Sequence, residues 1–432
     1  MTTSATRRAF LKTSAGAASV ATLASLDVAR YAHAQGSGYI RLGMIGCGGR
    51  CTGAAEQALN TGQDVRLVAM CDIFEERARA CLDRLQKVKK DQVAVDADRV
   101  FTGLDGYRHV IDSSDAVVIA CASKFHPYYA KAAIEAGKHV FVEKPHGIDA
   151  AGLRVMAEAC ALAKTKKLSL MSGLQWRHNP AVEETVKRIH DGAIGEIVSI
   201  EENFLRAPYQ LVKRKDGQSE LLYHFYNWYH FCWLSGDDVI QSLVHNVDTA
   251  TWAMNGVTPI RCHGVGGRSA SFGEVYGDMF DHHAVVYHYA SGARMYANCR
   301  TQNKCYGEYS SLVFGTKGRA NLFAGTIEGE TKWKYAGKGG NPYQIEHDRL
   351  FDAIRTGKPV NSGDYMTQST HIAVMGQVAC YTGQPVTWDE VAKSDFSFGP
   401  RPADVRLDME PPTKPGPDGN YPLPVPGVTR LL

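Results

Sequence analysis

Residues 40–51 read IRLGMIGCGGRC, an apolar run followed by a glycine-rich turn that opens a helical pattern. This order is typical of a strand that passes into a dinucleotide-binding helix. Gly46 allows the tight turn, and Gly48 lets backbone N–H groups approach a pyrophosphate at the helix N-terminus. We expect the adjacent Gly49 and Arg50 to contact the same group.

The next apolar run, residues 67–71, is followed directly by Asp72, which lies 26 residues after Gly46. A carboxylate at this point accepts hydrogen bonds from an adenosine ribose and repels a 2′-phosphate, so NAD is predicted rather than NADP. Cys51 occupies the place of the usual third glycine and adds a side chain between helix and strand, at a cost of about 1–3 kcal/mol. The alternative is a flavodoxin-like turn without a ligand.

Short apolar runs alternate with helical patterns from residue 40 onward, which predicts βαβ units around a parallel sheet. Beyond residue 260 the runs alternate polar and apolar positions between glycine-containing turns, as in antiparallel sheets. The predicted class is α/β: an N-terminal Rossmann domain, residues 35–150, and a C-terminal α+β domain, residues 151–395, with a mostly antiparallel sheet. Residues 396–432 are proline-rich and are predicted to form an extended tail.

The 432-residue chain has a formal net charge of +3, but four basic residues and one acidic residue lie within residues 1–34. The remainder therefore carries equal numbers of positive and negative side chains. The first segment contains Arg7 and Arg8, a mildly apolar stretch and the tripeptide at residues 32–34, Ala-His-Ala. It resembles a twin-arginine export signal with its cleavage site, which predicts a periplasmic or exported protein.

A neutral chain without a Lys/Arg cluster gives no electrostatic footprint for nucleic acid or for an anionic membrane. No apolar run after the signal is long enough to span a bilayer. The 11 cysteines form no CxxC pair, and no His/Cys spacing typical of metal ligands occurs, so no metal site is predicted. The expected partner is a small molecule.

Residues 136–145 read AGKHVFVEKP and end in Glu143, Lys144 and Pro145. The segment resembles the Glu-Lys-Pro motif of the glucose-fructose oxidoreductase, inositol dehydrogenase and MocA (Gfo/Idh/MocA) family. The resemblance covers nearly the whole chain after the signal and includes residues 173–180 (GLQWRHNP), 192–197 (GAIGEI), 245–248 (HNVD) and 314–318 (FGTKG).

This resemblance implies a Rossmann domain followed by a domain whose large open sheet carries substrate on one face and often a subunit contact on the other. A homodimer or homotetramer is therefore expected. In the family the Lys-Pro bond is often cis, which places Lys144 beside the nicotinamide. Because that ring is positively charged when oxidised, the pKa of Lys144 is expected to fall into a range useful for proton transfer. The alternative is an exposed lysine before a turn proline.

His245 lies in a predicted helix, residues 239–254, with Gln241 four residues before it and Asp248 three after it, so that one helical face presents all three side chains. The family motif usually has aspartate at the position of Gln241, with the histidine as proton acceptor. Because Gln241 is neutral, His245 is expected to be less basic, and the transfer of the family's Lys/Asp/His triad is incomplete. Lys144 and His245 are the predicted catalytic residues, and a buried core histidine is the alternative for His245.

The stretch at residues 222–233 is unusually aromatic, which fits a carbohydrate cleft, although core packing and a subunit contact stay open. The predicted substrate contacts are Arg177, His178, Gln241, Tyr226 and Trp228. The predicted cofactor contacts are Gly46, Gly48, Gly49, Arg50, Asp72, Ser123, His126, Glu143 and Lys144.

The predicted function is NAD-dependent oxidation of a secondary hydroxyl of a sugar or glycoside to a ketosugar. Because free NAD is not expected in the periplasm, the cofactor is predicted to stay bound and to be reset by a second carbonyl substrate, as in glucose-fructose oxidoreductase. Two alternatives remain: an NAD-dependent glycosidase or epimerase that works through transient oxidation and elimination, and a non-catalytic sugar-binding protein.

Overall fold

The computed structural model describes residues 38–209 and 211–432. The predicted export signal, residues 1–34, lies outside the described residues. Within the described part of the chain there are two sheets, one of six strands and one of nine. The first is parallel and the second is mixed and mostly antiparallel, so the predicted α/β class with a second, largely antiparallel domain is confirmed.

The first sheet has the strand order β3-β2-β1-β4-β5-β6, which is the Rossmann arrangement. Most residues of β1, β2, β4, β5 and β6 are buried, as expected for a parallel sheet that helices cover on both faces. The strands are β1 (Ile40–Ile45), β2 (Val65–Asp72), β3 (Val100–Thr102), β4 (Ala116–Ile119), β5 (His139–Val142) and β6 (Leu170–Ser172). The helices between them are α1 (Gly49–Asn60), α2 (Glu75–Lys89), α3 (Gly106–Ser113), α4 (His126–Glu135) and α5 (Ala150–Lys166).

The sequence predicts that the first domain ends at residue 150, but the first sheet includes one strand beyond that point. Strand β6 pairs in parallel with β5. Helix α5 crosses from β5 to β6, as in any βαβ unit, and so belongs to the first domain as well. The first sheet therefore continues past residue 150 to β6.

The second sheet has the order β14-β13-β12-β11-β7-β10-β9-β8-β15, with β7 and β10 as a parallel pair at its centre. Buried and partly exposed residues alternate along its strands, so one face packs on helices and the other faces outward. The strands are β7 (Ile197–Arg206), β8 (Arg261–Gly267), β9 (His282–His288), β10 (Arg294–Thr301), β11 (Glu308–Gly315), β12 (Gly318–Asn321), β13 (Thr326–Gly329), β14 (Trp333–Lys334) and β15 (Val386–Thr387).

Helices of the second half connect this sheet to the first domain. One of these helices follows β14 and carries Leu350 and Phe351. Both side chains belong to the same core as Met44 and Phe141 of the first sheet. The helices are α6 (Pro180–His190), α7 (Glu220–Tyr226), α8 (Cys232–Ser235), α9 (Val244–Ala253), α10 (Pro342–Thr356), α11 (Gly363–Thr382) and α12 (Trp388–Lys393). A π turn, Val239–Leu243, leads directly into α9.

The predicted tail has one regular element among its residues, the 3₁₀ turn Pro402–Asp404. It lies against its own chain, because Tyr421 is buried, packs edge-on to Phe231 and donates a hydrogen bond to Glu220. Across residues 38–209 and 211–432, no helix combines the length and apolar character needed to cross a membrane. The same residues include no group of three or more His, Cys, Asp or Glu side chains arranged to hold a metal ion.

Candidate active site

The glycine-rich turn joins β1 to α1 at the carboxyl end of the first sheet. Gly46 has φ +95°, and a Cβ there would meet the carbonyl oxygen of Ala120 at 2.7 Å, so this turn requires glycine. Cys51, at the third glycine position, is buried with its Sγ 3.5 Å from the carbonyl oxygen of Ile45. The helix therefore accommodates the thiol against the strand.

The residues of this turn fit a dinucleotide. Helix α1 begins at Gly49 without a side-chain cap, which leaves its first backbone N–H groups free to bind an anion. A Cβ built on Gly48 or Gly49 would meet no described atom within 4 Å, so the turn is open on the side of these Cα atoms. A pyrophosphate requires both features.

Asp72 is the last residue of β2 and lines the same cleft. Its Oδ2 accepts a hydrogen bond from the backbone N–H of Cys47 at 2.8 Å, and its Oδ1 accepts one from Phe74 at 3.0 Å. Burial raises the pKa of Asp72, and these two N–H groups lower it. The carboxylate is thereby held in one orientation at the position predicted for a ribose contact.

Tyr226 and Trp228 lie on this cofactor side of the molecule, which differs from their predicted role in binding substrate. Trp228 lines the cleft that contains Asp72. Arg77 donates a hydrogen bond to the carbonyl oxygen of Tyr226 and lies over its ring at 4.3 Å, and Phe74 packs edge-on to that ring. Helix α7 thus brings these aromatic residues against the first domain, and their contact with substrate stays a prediction.

Arg50 and Glu143 form an ion pair at the edge of the turn, with Nε 3.2 Å from Oε1. The ring of Tyr343, in the first turn of α10, lies 4.7 Å from the Arg50 guanidinium. Glu346, on the same helix, is fully buried, and neither of its carboxylate oxygens has a hydrogen-bond partner among the described residues. Burial raises the pKa of Glu346, and the charge of Glu143 raises it further. Sequence patterns gave no sign that α10 reaches this region.

Lys144 follows β5, is partly exposed and donates a hydrogen bond from Nζ to the carbonyl oxygen of Gln241 at 2.7 Å. The Lys144-Pro145 peptide bond is cis. Burial lowers the pKa of Lys144 to about 8, although Glu143 acts to raise it, and the charge of Arg206 lowers it. The amine is therefore close to the range in which it exchanges protons at neutral pH.

His245 lies in the first turn of α9, directly after the π turn, and is 8% exposed. Its Nδ1 is buried without a hydrogen-bond partner among the described residues. Burial lowers the pKa of His245 well below its usual value, and the charge of Lys144 lowers it further. Lys144 and His245 are therefore close enough for their charges to interact, and the imidazole is kept neutral.

Gln241 and Ser123 form a direct contact between the two domains. Ser123 donates a hydrogen bond to the side-chain oxygen of Gln241 at 2.8 Å, and both side chains are buried. The Gln241 backbone carbonyl holds Lys144. This residue therefore positions Lys144 through its main chain, and its predicted substrate contact is limited to the side-chain amide nitrogen.

Three other predicted site residues form hydrogen bonds with other groups of the protein. Arg177 forms two hydrogen bonds with the Asp248 carboxylate, at 2.9 and 2.8 Å. His178 accepts a hydrogen bond from Arg349 at 2.9 Å, and burial lowers its pKa to about 3. The ring of His126 connects the carbonyl oxygens of Pro145 and Cys121. These side chains support the loops of the site and do not face Lys144 through any described hydrogen bond.

A charged cluster that the sequence analysis missed adjoins Lys144. Arg206, the last residue of β7, donates hydrogen bonds to Asp238 at 2.6 Å, Ser242 at 2.9 Å and Tyr229 at 3.0 Å. The charge of Asp238 acts to raise the pKa of Lys144. A carboxylate is therefore present near Lys144, although Gln241 occupies the usual position of one.

Comparison with known proteins places the first domain in a family. Residues 40–173 match the model of the Gfo/Idh/MocA family, described as an oxidoreductase family with an NAD-binding Rossmann fold. The match to this family covers the first domain and not the second sheet. The predicted cofactor and the resemblance of the Glu-Lys-Pro segment to this family are thereby confirmed for this domain.

Several known proteins resemble the chain in part. Inositol 2-dehydrogenase from Salmonella typhimurium is 25% identical over 221 residues, 51% of this chain and 54% of that protein. Glycosyl hydrolase family 109 protein 4 of Phocaeicola vulgatus is 33% identical over 112 residues, 26% of this chain and 20% of that protein. The chain thus matches about half, or less, of the length of these relatives.

A solved structure extends the likeness to both sheets. Aldose-aldose oxidoreductase from Caulobacter crescentus, complexed with glycerol, superposes with a TM-score of 0.61 and 20% sequence identity. The match covers 81% of this chain and 99% of that one. The Gfo/Idh/MocA domain is therefore followed by a second domain of the same fold as in that enzyme.

Proposed function

We propose that the protein oxidises a secondary hydroxyl of a sugar or glycoside to a ketone, with NAD as hydride acceptor. The observation that carries this proposal is the contact that links Lys144 to the cleft: Lys144 binds the carbonyl oxygen of Gln241, and the Gln241 side chain binds Ser123, which directly follows cleft residue Ala122. The partial match to an inositol dehydrogenase supports a polyhydroxylated substrate.

The protein's own side chains have separate tasks in this reaction. When bound, NAD would supply a hydride acceptor for the substrate carbon. Lys144 or His245 takes the hydroxyl proton, because both side chains are uncharged in a useful fraction of molecules near neutral pH. The Gln241 carbonyl fixes Lys144, and Asp72 would accept hydrogen bonds from the adenosine ribose.

We infer further that the protein is exported, holds its cofactor tightly and resets it with a second carbonyl substrate. The support is the twin-arginine pattern in residues 1–34. A homodimer or homotetramer is proposed from the outward face of the second sheet, where Val265 is 68% and Tyr296 is 42% exposed. Fractionation of expressing cells and light scattering of the purified protein test these two points.

A second candidate function is redox-neutral glycoside cleavage, in which oxidation is transient and acidifies a neighbouring C–H bond. The partial match to a glycosyl hydrolase family 109 protein favours this candidate. It differs from the first in its products, because it releases the aglycone without a lasting change in the redox state of the cofactor.

One experiment separates these functions. The purified protein is mixed with NAD and with 4-nitrophenyl glycosides, and absorbance is followed at 340 nm for NADH and at 405 nm for nitrophenolate. We expect a rise at 340 nm that a ketosugar reverses. A rise at 405 nm alone would support glycoside cleavage. No change at either wavelength with any sugar would contradict both activities and support a non-catalytic sugar-binding protein.

The control variants are Lys144→Ala and Lys358→Ala. Lys358 is an exposed lysine after α10, so its loss is expected to leave the rate unchanged. Loss of Lys144 is expected to lower the rate at least about a hundredfold if it transfers the proton. Equal rates for the two variants would remove Lys144 from the mechanism.

A further inference from the structure

A cluster of four aromatic side chains lies beside the charged cluster of Arg206. Phe204 and Tyr309 stack with ring centroids 4.4 Å apart, and Trp176 and Phe323 stack at 4.2 Å. Tyr309 joins the two pairs, because its ring is 4.8 Å from Phe323 and its hydroxyl accepts a hydrogen bond from Trp176 at 2.6 Å. We call these four residues the aromatic platform.

The platform is the continuation of the sheet face on which α9 packs. Glu202 and Ser311 on this face are buried under α9, where Asn246 donates a hydrogen bond to Glu202. Because side chains alternate along a strand, Phe204 and Tyr309 are the next residues on the same face. Tyr309 is 39% exposed, so the helix no longer covers the face at this point.

Two series of contacts connect the platform to the proposed proton-transfer residues. Gln241, which holds Lys144, precedes Ser242, and Ser242 binds Arg206, whose guanidinium lies 5.4 Å from the Phe204 ring. On the other side, Asn246 follows His245 and donates a hydrogen bond to the carbonyl oxygen of Ser310, which follows Tyr309. The platform therefore borders the site and is not a separate surface.

The polar atoms of the platform limit what it binds. The indole N–H of Trp176 is already donated to Tyr309, and Arg206 is already paired with Asp238. What remains available is the aromatic faces and edges, which attract the apolar C–H face of a sugar ring or a second aromatic ring. An exposed aromatic patch next to a polar site is typical of a ligand-binding groove.

We propose that the aromatic platform is a subsite for a second ring, so that the preferred substrate is a glycoside or oligosaccharide and not a free monosaccharide. This inference rests on the proposed sugar oxidation, since it names the substrate class of the same site. The ring that is oxidised lies at Lys144 and His245, and the ring to which it is linked stacks on Trp176 and Tyr309. Two sources have the required chemistry: a sugar ring and an aromatic aglycone.

The test compares monosaccharides with their glycosides on the protein loaded with NAD. Glucose, galactose and mannose are measured beside cellobiose, maltose and the matching 4-nitrophenyl glycosides, by kcat/KM at 340 nm and by calorimetric binding. We expect at least one two-ring probe to exceed its monosaccharide about tenfold or more. A preference for disaccharides indicates a carbohydrate in the subsite, and a preference for nitrophenyl glycosides indicates an aromatic aglycone.

Variants of the platform locate the preference. Trp176→Ala and Tyr309→Ala are each expected to lower kcat/KM for two-ring probes about tenfold and to leave monosaccharides within about twofold. Tyr309→Phe keeps the ring and is expected to keep the preference, and thermal melting reports whether each variant folds. The matched control is Tyr306→Ala, an exposed tyrosine in the loop between β10 and β11 that makes no contact with the platform rings among the described contacts.

The outcomes distinguish this inference from the proposed function. Equal kcat/KM and equal binding for monosaccharides and glycosides would overturn the subsite while sugar oxidation stands. Equal losses for both classes in the alanine variants would also overturn it, because the rings would then support the site as a whole. If two-ring probes bind more tightly through Trp176 and Tyr309 but no sugar gives NADH, the subsite stands and the proposed oxidation fails.

Discussion

Burial and four neighbouring charges act in opposite directions on the pKa of Lys144. Burial lowers its pKa to about 8, Glu143 and Asp238 act to raise it, and Arg206 and Arg50 act to lower it. A proton acceptor must be uncharged, so activity is expected to rise with pH as the ammonium loses its proton. At pH 7 a group with this pKa is uncharged in about a tenth of molecules.

The pH dependence of sugar oxidation tests this environment. We expect kcat/KM to rise through an apparent pKa at or below about 8, since the positive charge of oxidised NAD lowers the pKa further. The measurement is kcat/KM from pH 5.5 to 10 in buffers of constant ionic strength. A limb near 10.4, the ordinary pKa of lysine, would show that the amine is solvated or not required.

His245 has the complementary property, an imidazole kept neutral by burial. His245→Ala is expected to lower turnover at least about a hundredfold if the ring accepts the proton. His109→Ala, at an exposed position on α3, is the control and is expected to turn over normally. Near-normal turnover in His245→Ala, measured at saturating sugar, would leave Lys144 as the acceptor.

Helix α9 carries His245 and is anchored at its centre by Asp248. This carboxylate binds Arg177 through two hydrogen bonds and accepts a third from Ser369, and it is 1% exposed. The guanidinium of Arg177 also lies over the rings of Trp252 and Tyr365, at 4.8 and 4.4 Å. The pair thus joins α9 to the 3₁₀ turn at residues 175–178 and to α11.

Removal of one partner from this buried pair is expected to be costly. Asp248→Ala leaves the largely buried Arg177 guanidinium without its carboxylate, so the free energy of unfolding is expected to fall by about 3–5 kcal/mol. Urea denaturation measures this change. Glu328→Ala removes a partner of Arg319 from an exposed pair and is expected to cost less than about 1 kcal/mol. Equal losses for the two variants would contradict the structural role of Asp248.

Local sequence patterns predicted the elements whose residues are contiguous. The turn after β1, Asp72 at the end of β2 and Lys144 after β5 follow from strand ends that meet at one edge of a parallel sheet. Arg206 was missed because its contact with Ser242 depends on how β7 packs beside the π turn before α9, which no local pattern encodes. The packing of the stretch that contains Tyr226 against the first domain was not predictable for the same reason, because its composition indicates burial but not the domain against which it packs.

The whole molecule joins a Gfo/Idh/MocA NAD-binding domain to a sheet whose covered face ends at the proposed substrate site. Residues from both domains meet there, as in the contact between Ser123 and Gln241. Tyr343 and Glu346 reach Arg50 and Glu143 from a helix about 290 residues after Arg50 and about 200 residues after Glu143. Contacts between residues distant in sequence therefore determine the site, and local sequence patterns do not predict them.

Direct hydride transfer from a sugar carbon is the central claim, and isotope transfer tests it. The protein is mixed with stoichiometric NAD and with a methyl glycoside deuterated at every ring carbon, the reaction is quenched, and the nicotinamide cofactor is weighed by mass spectrometry. We predict that the reduced cofactor is one mass unit heavier than with the unlabelled glycoside. A reduced cofactor without the label, or no reduced cofactor with any glycoside, would contradict the account.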